Sequence, residues 1–183
     1  MKRTLAMLAV LALAFAGASL AADPSKVARG KYLVTVAGCN DCHTPWKVGP
    51  NGPEPDMSRM LSGHPQDLPV TSQAKTPDEP WVMTAAGTNT AWSGPWCVSF
   101  TANLTPDPET GLGKWTQRNF AETIRTGRHH GRGREILPPM PINAYRNFTD
   151  DDLEAIFAYL GTIPAVRNRV PEPLAPAAPV AAR

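Results

Sequence analysis

The stretch Cys39-Asn40-Asp41-Cys42-His43 decides how this chain of 183 residues is interpreted. It has the form C-x-x-C-H, in which two thiols stand three positions apart and a histidine directly follows the second thiol. This spacing is typical of covalent haem attachment, because the two thiols add to the two vinyl groups and His43 then becomes the proximal ligand of the iron. The motif occurs once, so we expect one covalently bound haem c, held by Cys39, Cys42 and His43.

Two other interpretations of these cysteines are weaker. A structural zinc site needs a second Cys/His pair at ligand spacing, which Cys97 and the scattered histidines do not provide. A thioredoxin-like redox pair lies at a strand–helix junction in a βαβ pattern, and the sequence has no such pattern. Cys97 is left unpaired, and we expect either a buried apolar residue or a cysteine that forms an intermolecular bond.

The N-terminus has the pattern of a secretory signal peptide. Lys2 and Arg3 precede an uncharged, mostly apolar run from Thr4 to Ala22, which contains small residues at the −3 and −1 positions of a cleavage site. The alternative is an uncleaved membrane anchor, since the run approaches spanning length. We expect residues 1–21 to be a cleaved signal peptide, which predicts a periplasmic protein with no transmembrane span after cleavage.

Charge excludes one class of partner. The chain has 18 basic and 16 acidic residues, and loss of Lys2 and Arg3 with the signal peptide would leave equal numbers of each. A protein that binds nucleic acid usually has a strong basic excess on its folded part. We therefore expect no nucleic-acid partner.

Capping residues and apolar spacing predict three main helices in one domain over residues 22–170. The first begins at Pro24 and is stopped by Gly38, the second covers 114–127 and the third covers 149–161. Residues 45–108 contain eleven prolines and no sustained apolar period, which predicts a long ordered loop with few regular elements. The predicted fold class is therefore all-α with a long Pro-rich loop insertion, and residues 171–183 are expected to form a disordered Pro/Ala-rich tail.

The distal side of the iron has several candidate ligands. They are the thioethers and imidazoles downstream of the motif, namely Met57, Met60, Met83, Met140, His64, His129 and His130. Met140 is the best of them, because Pro139 and Pro141 fix the backbone on both sides and lower the entropy cost of placing the sulfur. His129 and His130 lie in a Gly/Arg-rich loop, and we expect them to face solvent.

Several blocks of sequence resemble known haem proteins. Those around the motif and at the C-terminal helix resemble class I c-type cytochromes: Tyr32-Leu33, Cys39 to Pro45, and Asp151-Asp152-Leu153 to Tyr159-Leu160. Others resemble the cytochrome c domains of bacterial alcohol and gluconate dehydrogenase complexes: Asn103 to Asp107, Thr110 to Trp115, and Pro139-Met140-Pro141 through Tyr145. The resemblance implies a class I cytochrome c fold and a distal ligand at Met140. It does not extend to residues 46–100.

With His43 and Met140 both bound, the iron would have no open position, so we expect an electron carrier and not an enzyme. The resemblance implies a dehydrogenase as the electron donor and an oxidase or membrane complex as the acceptor. If Met140 is not a ligand, the alternative is an open-iron haem protein that acts as a ligand sensor or small haem enzyme. A third possibility is a subunit that stays in a dehydrogenase complex.

Weaker signals concern the surroundings of the haem. We expect His43 to donate its free ring N–H to a backbone carbonyl, with Pro45 and Pro50 as candidates. Trp115 and Arg125 are candidates for contacts with a haem propionate, although Trp115 is equally well explained as core packing. The basic segment from Lys114 to Arg146 is either a docking rim for an acidic partner or an ordinary solvated surface.

Overall fold

The computed structural model describes residues 23–74 and 80–174, so the predicted signal peptide and residues 175–183 of the predicted tail lie outside the described part. The described helices are α1 (Pro24–Val36), α2 (Cys39–His43), α3 (Gln117–Thr126), α4 (Ile142–Tyr145) and α5 (Asp150–Leu160). The described strands are β1 (Trp46–Gly49), β2 (Gly52–Pro55), β3 (Thr84–Ala85), β4 (Ala91–Gly94) and β5 (Cys97–Phe100). None of the described helices is long and apolar enough to cross a lipid bilayer.

Local capping explains where the three longer helices begin and end. Asp23 accepts a hydrogen bond from the backbone N–H of Ser25 at the start of α1, at 2.8 Å. Thr116 forms a capping box with Asn119 before α3, and Gly127, with φ of 69°, ends that helix. Thr149 caps α5, whose first turn holds three aspartates at the positive end of the helix dipole. The predicted helices are therefore observed, with ends shifted by one to three residues.

The core forms where α1, α3 and α5 meet. Leu33, Val34, Leu153, Ile156 and Leu160 are at most 5% exposed, and each such side chain stabilises the fold by about 1.5–3 kcal/mol relative to leaving it in water. The main core also includes residues from α4 and from the segments that flank α3. Packing of α1 on α5 therefore organises the core.

The prediction of an all-α fold with a Pro-rich loop is wrong. Strands β1 and β2 form a two-stranded antiparallel sheet, and β3, β4 and β5 form a second antiparallel sheet in that order. Strand β5 is buried at every position and β4 at three of four positions, so the alternation that identifies a half-exposed strand is missing. Pro50 and Pro95 lie in the turns of the two hairpins, and Pro53 and Pro55 lie on β2, whose free edge tolerates them.

The chain beyond α5 returns to the second sheet. Asn168 is 1% exposed and donates hydrogen bonds to the carbonyls of Ser62 and His64, at 2.7 and 2.8 Å. Leu174 pairs with Val98 as an isolated antiparallel bridge. Residues 171–174, which the sequence assigned to the tail, therefore contact the folded domain.

The contact between α1 and α5 depends on the absence of a side chain at Gly30. A Cβ atom placed there would lie 1.9 Å from the carbonyl oxygen of Ala155. We expect Gly30→Ala to lower the free energy of unfolding of the holoprotein by about 1–3 kcal/mol, because the two backbones must move apart. Denaturant titration measures this value. Gly87→Ala is the matched control, since nothing lies within 4 Å of a Cβ there; equal losses in the two variants would contradict the prediction.

Candidate functional site

A cavity of about 350 Å³ lies between the main core and the second sheet, within the size range of small-molecule sites. Its walls come from α1, α3, α5 and the segments on either side of them. Most of the lining is apolar, including Val34, Leu112, Phe120, Ile124, Leu153, Ile156 and Leu160. The cavity therefore offers a mostly apolar site next to the helices that form the core.

Cys39, Cys42 and His43 line the same cavity from α2. Gly38 has φ of 68°, a left-handed conformation that lets the chain turn from α1 into α2 within two residues. Burial raises the pKa of the Cys39 thiol to about 11 and also raises the pKa of Cys42, because both thiolates would lose hydration. Both sulfurs are therefore neutral thiols at the cavity wall at physiological pH.

His43 is buried and its protonation is defined by one hydrogen bond. Its Nδ1 atom lies 2.8 Å from the carbonyl oxygen of Ala102, and since a carbonyl only accepts, Nδ1 carries the proton. Burial lowers the pKa of His43, so the ring is neutral. Nε2 is then the basic nitrogen, and it has no hydrogen-bond partner among residues 23–74 and 80–174.

The acceptor of this hydrogen bond differs from the two that the sequence suggested. The carbonyl of Pro45 accepts instead from the backbone N–H of Asp56, at 2.8 Å. Ala102 lies two residues beyond the end of β5, and it takes part through its backbone carbonyl. No side-chain signal in the sequence could have identified it.

Met140 also lines the cavity, and so does His129. Met57 is 57% exposed and Met83 is 40% exposed, and neither belongs to the cavity lining. Met60 packs against the core outside that lining, and His130 stacks on Trp115 with ring centroids 4.1 Å apart. The structure thus brings Met140 to the same cavity as the haem motif.

His64 does not line the cavity, and its ring nitrogens form hydrogen bonds elsewhere in the protein. It is fully buried, with Nδ1 2.9 Å from the hydroxyl of Thr90 and Nε2 2.9 Å from the carbonyl of Leu68. Both ring nitrogens therefore have partners within the protein, and a ligand role would require both contacts to break.

The two residues suggested for a propionate occupy different places. Trp115 lines the cavity. Arg125 does not, because its guanidinium donates to the carbonyl of Arg146 and to Asp150, at 2.5 and 2.6 Å. The expectation for Arg125 is therefore wrong.

The structure adds polar lining residues that the sequence did not indicate. Arg134 and Arg169 line the cavity, and Arg134 pairs with Glu172 at 3.0 Å. The indole N–H of Trp92 is buried without a hydrogen-bond acceptor in this lining. Arg169 lies beyond α5, in a segment whose sequence has no apolar periodicity from which its position could be predicted.

Cys97 and the acidic groups provide no alternative centre in the described part of the chain. Cys97 is 3% exposed, and its sulfur lies 3.5 Å from the side-chain oxygen of Gln73. Among the described residues, no group of three or more His, Cys, Asp or Glu side chains is placed to hold a metal ion. The burial of Cys97 agrees with its interpretation as a buried residue.

Several relatives match over most of the chain. It is 26% identical over 184 residues to the fructose dehydrogenase cytochrome subunit of Gluconobacter japonicus, which covers 92% of this chain and 30% of that protein. It is 26% identical over 156 residues to the cytochrome c subunit of a quinone alcohol dehydrogenase of Gluconobacter oxydans, covering 82% and 25%. It is 26% identical over 166 residues to the gluconate 2-dehydrogenase cytochrome c subunit of Pantoea cypripedii, covering 87% and 30%.

These similarities confirm the resemblance that the sequence motifs predicted. The chain resembles the cytochrome c subunits of bacterial dehydrogenase complexes, which supports an electron-transfer cytochrome role. It spans about a quarter to a third of the length of these relatives. No family model matches the chain.

The buried position of His64 predicts a pH-dependent stability. Desolvation lowers the pKa of His64 in the folded protein below the ordinary value of about 6.5. The unfolded chain therefore binds this proton first, so stability is complete above about pH 6.5 and falls as the pH drops toward the folded pKa, by at most about 1.4 kcal/mol per pH unit. His64→Gln should flatten this part of the curve of unfolding free energy against pH. Parallel curves for the wild type and the variant would contradict the assignment.

Proposed function

We propose that this chain is a periplasmic single-haem c-type cytochrome that carries one electron at a time between a dehydrogenase and a respiratory acceptor. The observation that carries this proposal is the meeting of Cys39, Cys42, His43 and Met140 at one apolar cavity. Such an arrangement provides two attachment thiols, a proximal imidazole and a distal thioether for one haem. The similarity to dehydrogenase cytochrome subunits supports the choice of partners.

The residues of the cavity fit a c-type haem. The apolar side chains match the faces of a porphyrin, and the neutral thiols lie at the wall where vinyl groups would react. Nε2 of His43 is the nitrogen left for a metal, since Nδ1 is engaged by Ala102. The unsatisfied indole N–H of Trp92 and the two lining arginines offer donors to carboxylates.

Each residue then has a defined task. When bound, haem supplies an iron that gains and loses a single electron. Cys39 and Cys42 fix its position, while His43 is oriented and made more basic by its bond to the Ala102 carbonyl. Met140 would supply the thioether ligand, and thioether ligation would favour the reduced state of the iron by raising its reduction potential. With His43 and Met140 both bound, the iron would have no open position for a substrate.

Covalent attachment is tested through the cysteines. We expect the double variant Cys39→Ser, Cys42→Ser to lose covalently bound haem completely, because a serine hydroxyl does not form the thioether bond. Haem staining on a denaturing gel and the mass of the intact chain measure the change, from one haem per chain to none. Cys97→Ser is the control and should keep its haem, since Cys97 lies outside the cavity lining. Retention of covalent haem by the double variant would sink this proposal.

Distal ligation is tested at Met140. The ferric wild-type holoprotein should show the weak long-wavelength sulfur-to-iron charge-transfer band. Met140→Ala should lose the band. Its reduction potential should also fall, because axial ligands set haem potentials over a range of roughly 0.8 V. Met83→Ala is the matched control, because Met83 is 40% exposed and outside the lining. An unchanged band and potential in Met140→Ala would reject Met140 as ligand, and a high-spin wild type would instead favour the open-iron alternative.

A further inference from the structure

The second sheet contacts the segment from Pro138 to Pro141, here called the Met140 loop, through a hydroxyl group. Ser99 of β5 is 6% exposed, and its Oγ donates a hydrogen bond to the carbonyl of Pro138, at 2.6 Å. Pro138 stands two residues before Met140, and both Ser99 and Met140 line the cavity. The hairpin of β4 and β5 thus contacts the segment that presents the proposed distal ligand.

The direction of this hydrogen bond is defined by a neighbour. The indole Nε1–H of Trp96 donates to the Oγ of Ser99, at 3.2 Å. An indole N–H only donates hydrogen bonds and a carbonyl only accepts them. The Ser99 hydroxyl therefore accepts a hydrogen bond from Trp96 and donates one to the carbonyl of Pro138. Trp96, Ser99 and Pro138 therefore form a chain of two hydrogen bonds with a single polarity, which reduces the rotational freedom of the hydroxyl.

The Met140 loop is poor in hydrogen-bond donors of its own. Three of the four residues from 138 to 141 are prolines, which have no backbone N–H. Such a segment cannot be held by a regular backbone ladder, and its carbonyl groups need donors from other segments. Those of Met140 and Pro141 accept from backbone N–H groups of α4. Ser99 supplies one of these donors from a strand whose backbone is already paired with β4.

We propose that Ser99, oriented by Trp96, is a positioning residue for the distal ligand, which it holds by fixing the Pro138 carbonyl and with it the sulfur of Met140. This inference rests on the proposed function, because it assumes that Met140 binds haem iron. It gives the second sheet, which has no counterpart in the sequence motifs, a role in tuning the strength of the distal bond. A thioether is a weak neutral ligand. If the Met140 loop were more mobile, the sulfur would therefore compete less well with an external ligand for the iron.

The test is the affinity of the ferric holoprotein for imidazole, which must displace Met140 to bind. We expect Ser99→Ala to bind imidazole about fivefold more tightly than the wild type, the factor that corresponds to one typical net hydrogen bond. The sulfur-to-iron band should weaken in the same variant. Ser99→Thr keeps the hydroxyl and should restore an affinity within about twofold of the wild type.

Ser93→Ala is the matched control. Ser93 lies on β4 of the same hairpin, is 5% exposed, and donates its hydroxyl to the carbonyl of Ala74 at 3.1 Å. The Ser93→Ala variant removes a hydroxyl from the same sheet without changing any contact of the Met140 loop. Its affinity for imidazole should therefore equal that of the wild type. Trp96→Phe is a second variant that leaves Ser99 in place, and it should tighten imidazole binding about twofold through loss of the orienting donor.

The outcomes separate this inference from the proposed function. The inference is overturned if the wild type and Ser99→Ala bind imidazole with equal affinity. It is also overturned if Ser99→Ala and Ser93→Ala show the same increase in imidazole affinity, because that result indicates general loosening of the sheet. If Ser99→Ala yields no holoprotein, an unchanged affinity in Trp96→Phe overturns it. A wild type without the sulfur-to-iron band, with an imidazole affinity that Met140→Ala does not change, overturns the proposed ligand set itself.

Discussion

The hydrogen bond between Nδ1 of His43 and the carbonyl of Ala102 is the contact on which the rest of the site depends. It spans 59 residues of sequence and connects the short helix of the C-x-x-C-H motif to the segment that follows the second sheet. It fixes the tautomer of the ring and leaves Nε2 available. The backbone N–H of Gly63 donates to the carbonyl of His43, at 2.8 Å, so the histidine is held through both its side chain and its main chain.

The helices and the non-helical segments contribute different things to the cavity. Helices α1, α3 and α5 supply most of the apolar wall, while the sheet and the loops supply the hydrogen bonds that fix the orientation of individual groups. Asn168 connects the chain beyond α5 to the segment after β2, because its side chain donates to two carbonyls of that segment and accepts from the N–H of Gln66. Its polar atoms are buried but paired, which avoids the cost of burying an unsatisfied amide.

The sequence could predict those features whose signals are local. Thr116, Thr149 and Gly127 mark helix ends because capping involves neighbours in the chain, and the haem motif is complete within five residues. The prediction failed where the signal is a backbone atom or a distant contact. Ala102 offers only a carbonyl, β4 and β5 are buried on both faces and show no alternation, and Arg125 pairs with Asp150 25 residues away.

The close approach of α1 and α5 at Gly30 also has a consequence for the order in which the protein is assembled. These helices lie near opposite ends of the described chain, so the core can close only after the segment up to Leu160 has been synthesised. Until then the cavity lined by Cys39 and Cys42 lacks the part of its wall that α5 supplies. A chain in which α5 has not yet packed therefore has a cavity that is open on one side, through which a bulky molecule can enter before the wall is complete.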